Sequence, residues 1–146
     1  RIDKKGIVTT VAGNGKHMDS GDGGSALKAG IRSMDDIEFS PAGELHILGT
    51  NTHKVRKITK DGKIFTVAGK GNAGFFGDGG SATKAMLKNP AAISFDSKGN
   101  LDITDMGNNR IRKVDKKGII TTFAGTGKFG WGRTGETVEI YLQNFP

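Results

Sequence analysis

Apolar and polar residues alternate with period two in short runs along this chain. Ala92-Ile93-Ser94-Phe95-Asp96 is one such run, and Leu101-Asp102-Ile103-Thr104-Asp105 is the next. Alternation of this kind predicts half-buried strands. Ser97-Lys98-Gly99-Asn100 separates the two runs, with the composition of a turn. Met106-Gly107-Asn108-Asn109 is a second turn, because glycine and asparagine accept positive φ. Arg110-Ile111-Arg112-Lys113-Val114 is a third strand with charges on one face. Asp115-Lys116-Lys117-Gly118 then turns into a fourth, Ile119-Ile120-Thr121-Thr122-Phe123-Ala124. Four strands joined by short hairpins predict an antiparallel meander. A glycine-rich connection precedes it. Its last part, Ser81-Ala82-Thr83-Lys84-Ala85-Met86-Leu87-Lys88, predicts a helical turn before Asn89-Pro90.

The same pattern occurs twice, offset by 56 residues. Aligning residues 6–58 with 62–114 gives 21 identities in 53 positions without a gap. Ala12-Gly13 returns as Ala68-Gly69 and again as Ala124-Gly125. Gly21-Asp22-Gly23-Gly24-Ser25-Ala26 returns as Gly77-Asp78-Gly79-Gly80-Ser81-Ala82. The first copy predicts strands near 36–40, 44–48, 54–58 and 63–67. The chain thus divides into 1–12, the last strands of a preceding unit; 13–68, a first repeat; 69–124, a second; and 125–146, the start of a divergent third. In that third unit Arg133-Thr134-Gly135-Glu136 stands where Gly77-Asp78-Gly79-Gly80 stood, and residues 137–142 alternate like a strand. A fixed period of this order marks a solenoid, propeller or array. Four-stranded meanders at this spacing describe β-propeller blades, so the expected class is all-β.

Composition narrows this reading only a little. The 24 glycines fall at fixed places in the repeat, so they punctuate strands and do not mark low complexity. The absence of cysteine removes disulfides and thiolate metal sites and leaves the compartment undetermined. No apolar run approaches the roughly 20 residues that span a bilayer, so no membrane partner is expected. The chain opens inside a repeat, without a signal-peptide pattern. The net charge of +7 permits anionic partners. The same lysines also suit the bland role of keeping edge strands soluble.

Three segments carry a resemblance. They are Pro90-Ala91-Ala92-Ile93-Ser94-Phe95-Asp96, Gly99-Asn100-Leu101-Asp102-Ile103-Thr104-Asp105, and Gly107-Asn108-Asn109-Arg110-Ile111-Arg112-Lys113-Val114. In order and spacing they resemble an NHL repeat. The Ala-Gly and Gly-Asp-Gly-Gly elements resemble the NHL variety with a long connection between blades. The resemblance covers residues 1–125 and implies an NHL β-propeller, commonly six-bladed. The chain departs from that pattern at Met34, where a proline usually opens the blade, and at Gly49, which matches Asp105. It departs again at His46 and Asp102, two polar residues where an aromatic is usual.

Little in the sequence suggests catalysis. The three histidines, His17, His46 and His53, lack a metal-like spacing. His46 and His53, with Asp102 from the next blade, are the weak candidates for a metal site. Otherwise no metal and no cofactor is expected. The Gly-Asp-Gly-Gly loops lack the lysine-serine pair of a phosphate loop and the carboxylate ladder of a calcium loop. Asp22, Asp78 and Asp105 are therefore read as structural turn residues, and Arg112 as the partner of a carboxylate or carbonyl between blades. No serine has a credible histidine and acid, so no enzyme is expected.

The expected function is a non-catalytic scaffold or interaction module that binds protein or ligand through its loop faces. The alternative is an RNA-binding propeller. It would use Lys54, Arg56, Arg110, Arg112 and Lys113 as a basic face, with Phe75, Phe76, Phe129 or Trp131 as stacking groups. Two and a half blades cannot close a ring of roughly four to eight. The first partner expected is therefore the chain itself, or else the rest of a longer propeller.

Overall fold

A computed structural model describes residues 1–129. Eight strands form two sheets. The first contains β1 (Met34–Phe39), β2 (Leu45–Gly49), β3 (Lys54–Ile58) and β4 (Ile64–Ala68). The second contains β5 (Ala92–Phe95), β6 (Leu101–Asp105), β7 (Arg110–Val114) and β8 (Ile120–Ala124). Both are antiparallel meanders in sequence order. They are two β-propeller blades. The alternating 137–142 segment lies outside the described residues.

The helical turn expected over 81–88 is shorter than its composition suggested. Only Ala82–Lys84 closes a 3-10 turn, as Ala26–Lys28 does in the first repeat. Met86 instead donates its amide to Phe76 O, and Gly74 donates to Leu87 O, tying the connection to itself. The turn at Met106–Asn108 is also 3-10, and Asn109 leaves it in the left-handed region at φ 51°. His53 takes the same conformation at φ 54°. In each blade this residue aims its carbonyl at the glycine closing the fourth strand. A Cβ on Gly69 would fall on His53 O, and one on Gly125 on Asn109 O. The recurring Ala-Gly pair therefore has a steric cause.

The Gly-Asp-Gly-Gly segment covers an edge. Gly79 N donates to Ile120 O at 2.7 Å, Ile120 N to Gly80 O at 3.0 Å, and Ala82 N to Gly118 O at 2.8 Å. The first repeat makes the same three bonds at the same lengths, from Gly23 to Ile64 O, Ile64 to Gly24 O and Ala26 to Gly62 O. Each connection thus runs along the outer strand of the blade that follows it and occupies part of an otherwise unpaired edge.

The main core lies between the blades. Leu48, Val55 and Ala68 of the first blade meet Leu87, Ile93, Leu101, Ile103, Val114 and Ile120 of the second. Hydrogen bonds stitch the same seam: Ile93 N to Asp36 Oδ2 at 2.8 Å, and Thr50 Oγ1 to Pro90 O at 2.7 Å. The opposite face of the first blade has no such partner. There Ile37 is 58% and Phe39 62% exposed, whereas the equivalent Ile93 is 6% exposed.

Candidate functional site

The arginines on the third strands organise each blade. Arg112 is fully enclosed. Its Nη2 lies 2.8 Å from Asp78 Oδ1, and its Nη1 lies 3.3 Å from Asp105 Oδ2. Its remaining donors reach Met86 O and Phe76 O. Asp105, also fully enclosed, accepts from Lys88 N at 2.7 Å and Asn108 Nδ2 at 2.8 Å. Arg56 is bound similarly, with Nη2 2.6 Å from Asp22 Oδ1 and further bonds to Gly30 O and Ser20 O. Its second carboxylate comes from elsewhere. Gly49 replaces Asp105, and Asp19, standing where Phe75 stands in the next repeat, supplies the acid at 3.1 Å. Sequence reading missed Asp19. The signal was the paired exchange of Asp19 and Gly49 for Phe75 and Asp105.

Asp22 and Asp78 therefore do more than shape their turns. They anchor the connection to the blade behind it. Asp22 also accepts the Thr66 amide at 2.9 Å, and Asp78 accepts the Thr122 hydroxyl. Burial pushes the Asp22 carboxyl up, but the Thr66 and Arg56 bonds outweigh it and hold the group below its ordinary value.

The cations expected to make a basic face are held in contacts within the chain. Arg56 and Arg112 are buried in the ion pairs above and cannot reach a nucleic-acid backbone. Lys54 is bound to Asp19 at 2.7 Å, and Lys113 lies 2.9 Å from Asp96 and 3.2 Å from Asp102. Arg110 bonds Asn108 O and Thr126 O, with its guanidinium 3.8 Å from the centre of the Phe75 ring. Lys70 similarly covers Phe76. Two of the expected stacking aromatics thus already hold cations of this chain. Phe129 is almost wholly exposed, and Trp131 lies outside the described residues.

The three metal candidates are occupied separately. His46 donates Nδ1–H to Glu44 O at 3.1 Å and meets the Phe95 ring edge-on at 4.8 Å. Burial pushes its ring below the ordinary imidazole value, against the raising effect of Glu44, so it is neutral at neutral pH. His53 accepts the Asn89 amide at 3.2 Å. Asp102 faces Lys113. Among the described residues no three metal-binding side chains converge.

Asp102 is under electrostatic strain. Its Oδ1 is buried and makes no hydrogen bond, although the Lys113 ammonium is near. Burial raises its carboxyl above the ordinary value, Asp96 adds to this, and Lys113 only partly opposes it. A carboxyl raised on folding imposes its penalty above its folded value and none where both states are protonated. Asp102→Asn is accordingly expected to raise stability at neutral pH. That advantage should disappear in acid, as urea midpoints across pH will show.

Between the blades, at the end bearing the β1–β2, β5–β6 and β7–β8 turns, lies a cleft of about 890 Å³. His46, Val67, Phe95, Leu101 and Val114 are among its walls, and Lys98, Lys116 and Lys117 stand at its turns.

Comparison with known proteins places this architecture. The family profile described as the Teneurin NHL domain matches residues 71–134. Teneurin-1 of Homo sapiens is 32% identical over 104 residues, which covers 62% of this chain and 4% of that protein. The chain thus spans a small fraction of the curated relative's length. Among solved structures, a protein of unknown function from Bacteroides thetaiotaomicron is 26% identical, with a TM-score of 0.55 over 62% of this chain and 23% of that one. Virginiamycin B lyase from Staphylococcus aureus, at 24% identity, matches 86% of this chain and 33% of its own with a TM-score of 0.51, a likeness of fold. These likenesses fit an interaction module.

Proposed function

The chain belongs to the NHL-repeat β-propeller proteins, and from that premise we propose that it is a non-catalytic interaction module whose first partner is a second copy of itself. The supporting observation is the open face of the first blade. Ile37, Phe39, Leu45 and Ile58, with Arg1 and Val11, border a hollow of about 690 Å³. In the second blade the equivalent Ile93, Phe95, Leu101 and Val114 are covered by the blade before it. The matching surface of a second copy is the far face of its second blade. There Ile111 is 38% exposed, while the equivalent Val55 is fully buried.

Docking that far face onto the open face repeats the interface already present within the chain. The contact is head-to-tail, so successive copies build toward a ring. Light scattering is expected to give a discrete multimer for the parent chain. Phe39→Glu should reduce it to a monomer with unchanged strand content, since a charge placed in this apolar contact has no partner. A monomeric parent would mean that the open face belongs to further blades of a longer propeller, or to a protein ligand. The RNA reading has weaker support, because its arginines are enclosed. Binding that falls steeply with added salt would revive it.

A further inference from the structure

We propose that the cleft between the two blades is a binding site for a small amphipathic acid, a flat apolar body carrying one carboxylate. Its volume of about 890 Å³ lies within the range of small-molecule sites. Partly buried Val67 of the first blade and Phe95 of the second give the cleft an apolar lining backed by the nearly enclosed Leu101 and Val114, and the neutral, edge-on His46 extends the aromatic surface without adding charge.

The mouth is cationic. Lys57 is neutralised by Glu44 at 2.9 Å. Lys98, Lys116 and Lys117 make no salt bridge to a carboxylate among the described residues. Asp115, the acid beside them, has its Oδ1 taken by the amides of Lys117 and Ile119 at 2.9 Å. The turns bearing these lysines converge. A Cβ on Gly99 would meet Lys116 Cε at 3.3 Å and Pro41 Cγ of the first blade at 3.8 Å.

Only part of this charge is inherited from the repeat. Lys60 stands in the first blade where Lys116 stands in the second, but Ala42 stands where Lys98 stands and Asp61 where Lys117 stands. Asp61 instead lies 3.5 Å from Lys63. Lys98 and Lys117 therefore make this mouth more cationic than the equivalent end of the first blade. An apolar wall below unpaired ammonium groups favours a ligand with an apolar body and a single anionic end. The site is complete within one chain and does not depend on self-association.

Calorimetric titration with 2-naphthoate tests it, with the neutral 2-naphthalenemethanol as control. Saturable naphthoate binding is expected. It should weaken about 10-fold or more in the Lys98→Glu/Lys116→Glu/Lys117→Glu variant, while the alcohol responds little. The corresponding triple glutamine variant should weaken naphthoate binding in the same direction, and it carries the test if the reversed chain does not fold. Lys5→Glu, outside the cleft lining, should leave binding unchanged. Three results would each overturn the proposal: no saturable binding by the parent, undiminished binding by the folded lysine variants, or an equal loss of binding in Lys5→Glu.

Discussion

Arg112→Met is expected to destabilise the chain by about 3–5 kcal/mol, the cost of leaving a buried ion without its partner. Arg112 and Asp105 are both fully enclosed, so water cannot replace the lost guanidinium. Asp105 would keep its bonds from Lys88 and Asn108, but these amides do not neutralise it. The equivalent Arg56→Met should cost less, about 1–3 kcal/mol. Its partners Asp22 and Asp19 are 48% and 19% exposed and can be hydrated. Urea unfolding of both variants checks the order. Adding Asp105→Asn to Arg112→Met should recover part of the loss, and the absence of any recovery would place the cost in packing around the arginine instead.

Gly69→Ala carries the second large effect. At φ 82° an alanine is strained by about 1–3 kcal/mol. Its methyl would also strike the His53 carbonyl, a backbone atom that cannot swing aside. Gly62 separates the two contributions. It has nearly the same dihedral, φ 77°, but nothing within 4 Å of the added methyl. Gly62→Ala should therefore show the dihedral strain alone and Gly69→Ala clearly more, measured as the difference in thermal midpoint at constant pH. Equal losses would mean that the β3–β4 junction moves to admit the methyl.

Sequence pattern makes the blades legible because strand alternation and hairpin turns are local. Ile93 and Leu101 alternate with polar neighbours, and Gly99 and Gly118 mark turns, without reference to anything distant. The 56-residue period adds the expectation that one meander stacks on the next. The site is less legible because charge pairing is not local. Arg112 meets Asp78 34 residues away, and Arg56 meets Asp19 37 residues away. A row such as Arg110-Ile111-Arg112-Lys113 reads as a basic surface until those partners are placed. The reading of Asp22 and Asp78 as structural lacked the same information. Their glycine-rich context indicates a turn but does not show that the turn lies against a strand made more than 35 residues later. The cleft is hidden for a related reason. Its walls come from both repeats, and two of its lysines, Lys98 and Lys117, are visible only as departures from the period.

The connection that covers each outer strand precedes the blade it covers, which fixes where such a chain can be cut and rejoined. Residues 69–124 carry a sheet together with the segment that closes its edge, and with Asp78, the anchor of that segment. Grafting or duplicating this span moves a unit with its own selvedge. A join made after residue 91 would transfer the same four strands with β8 unhemmed and Arg112 lacking one of its two acids.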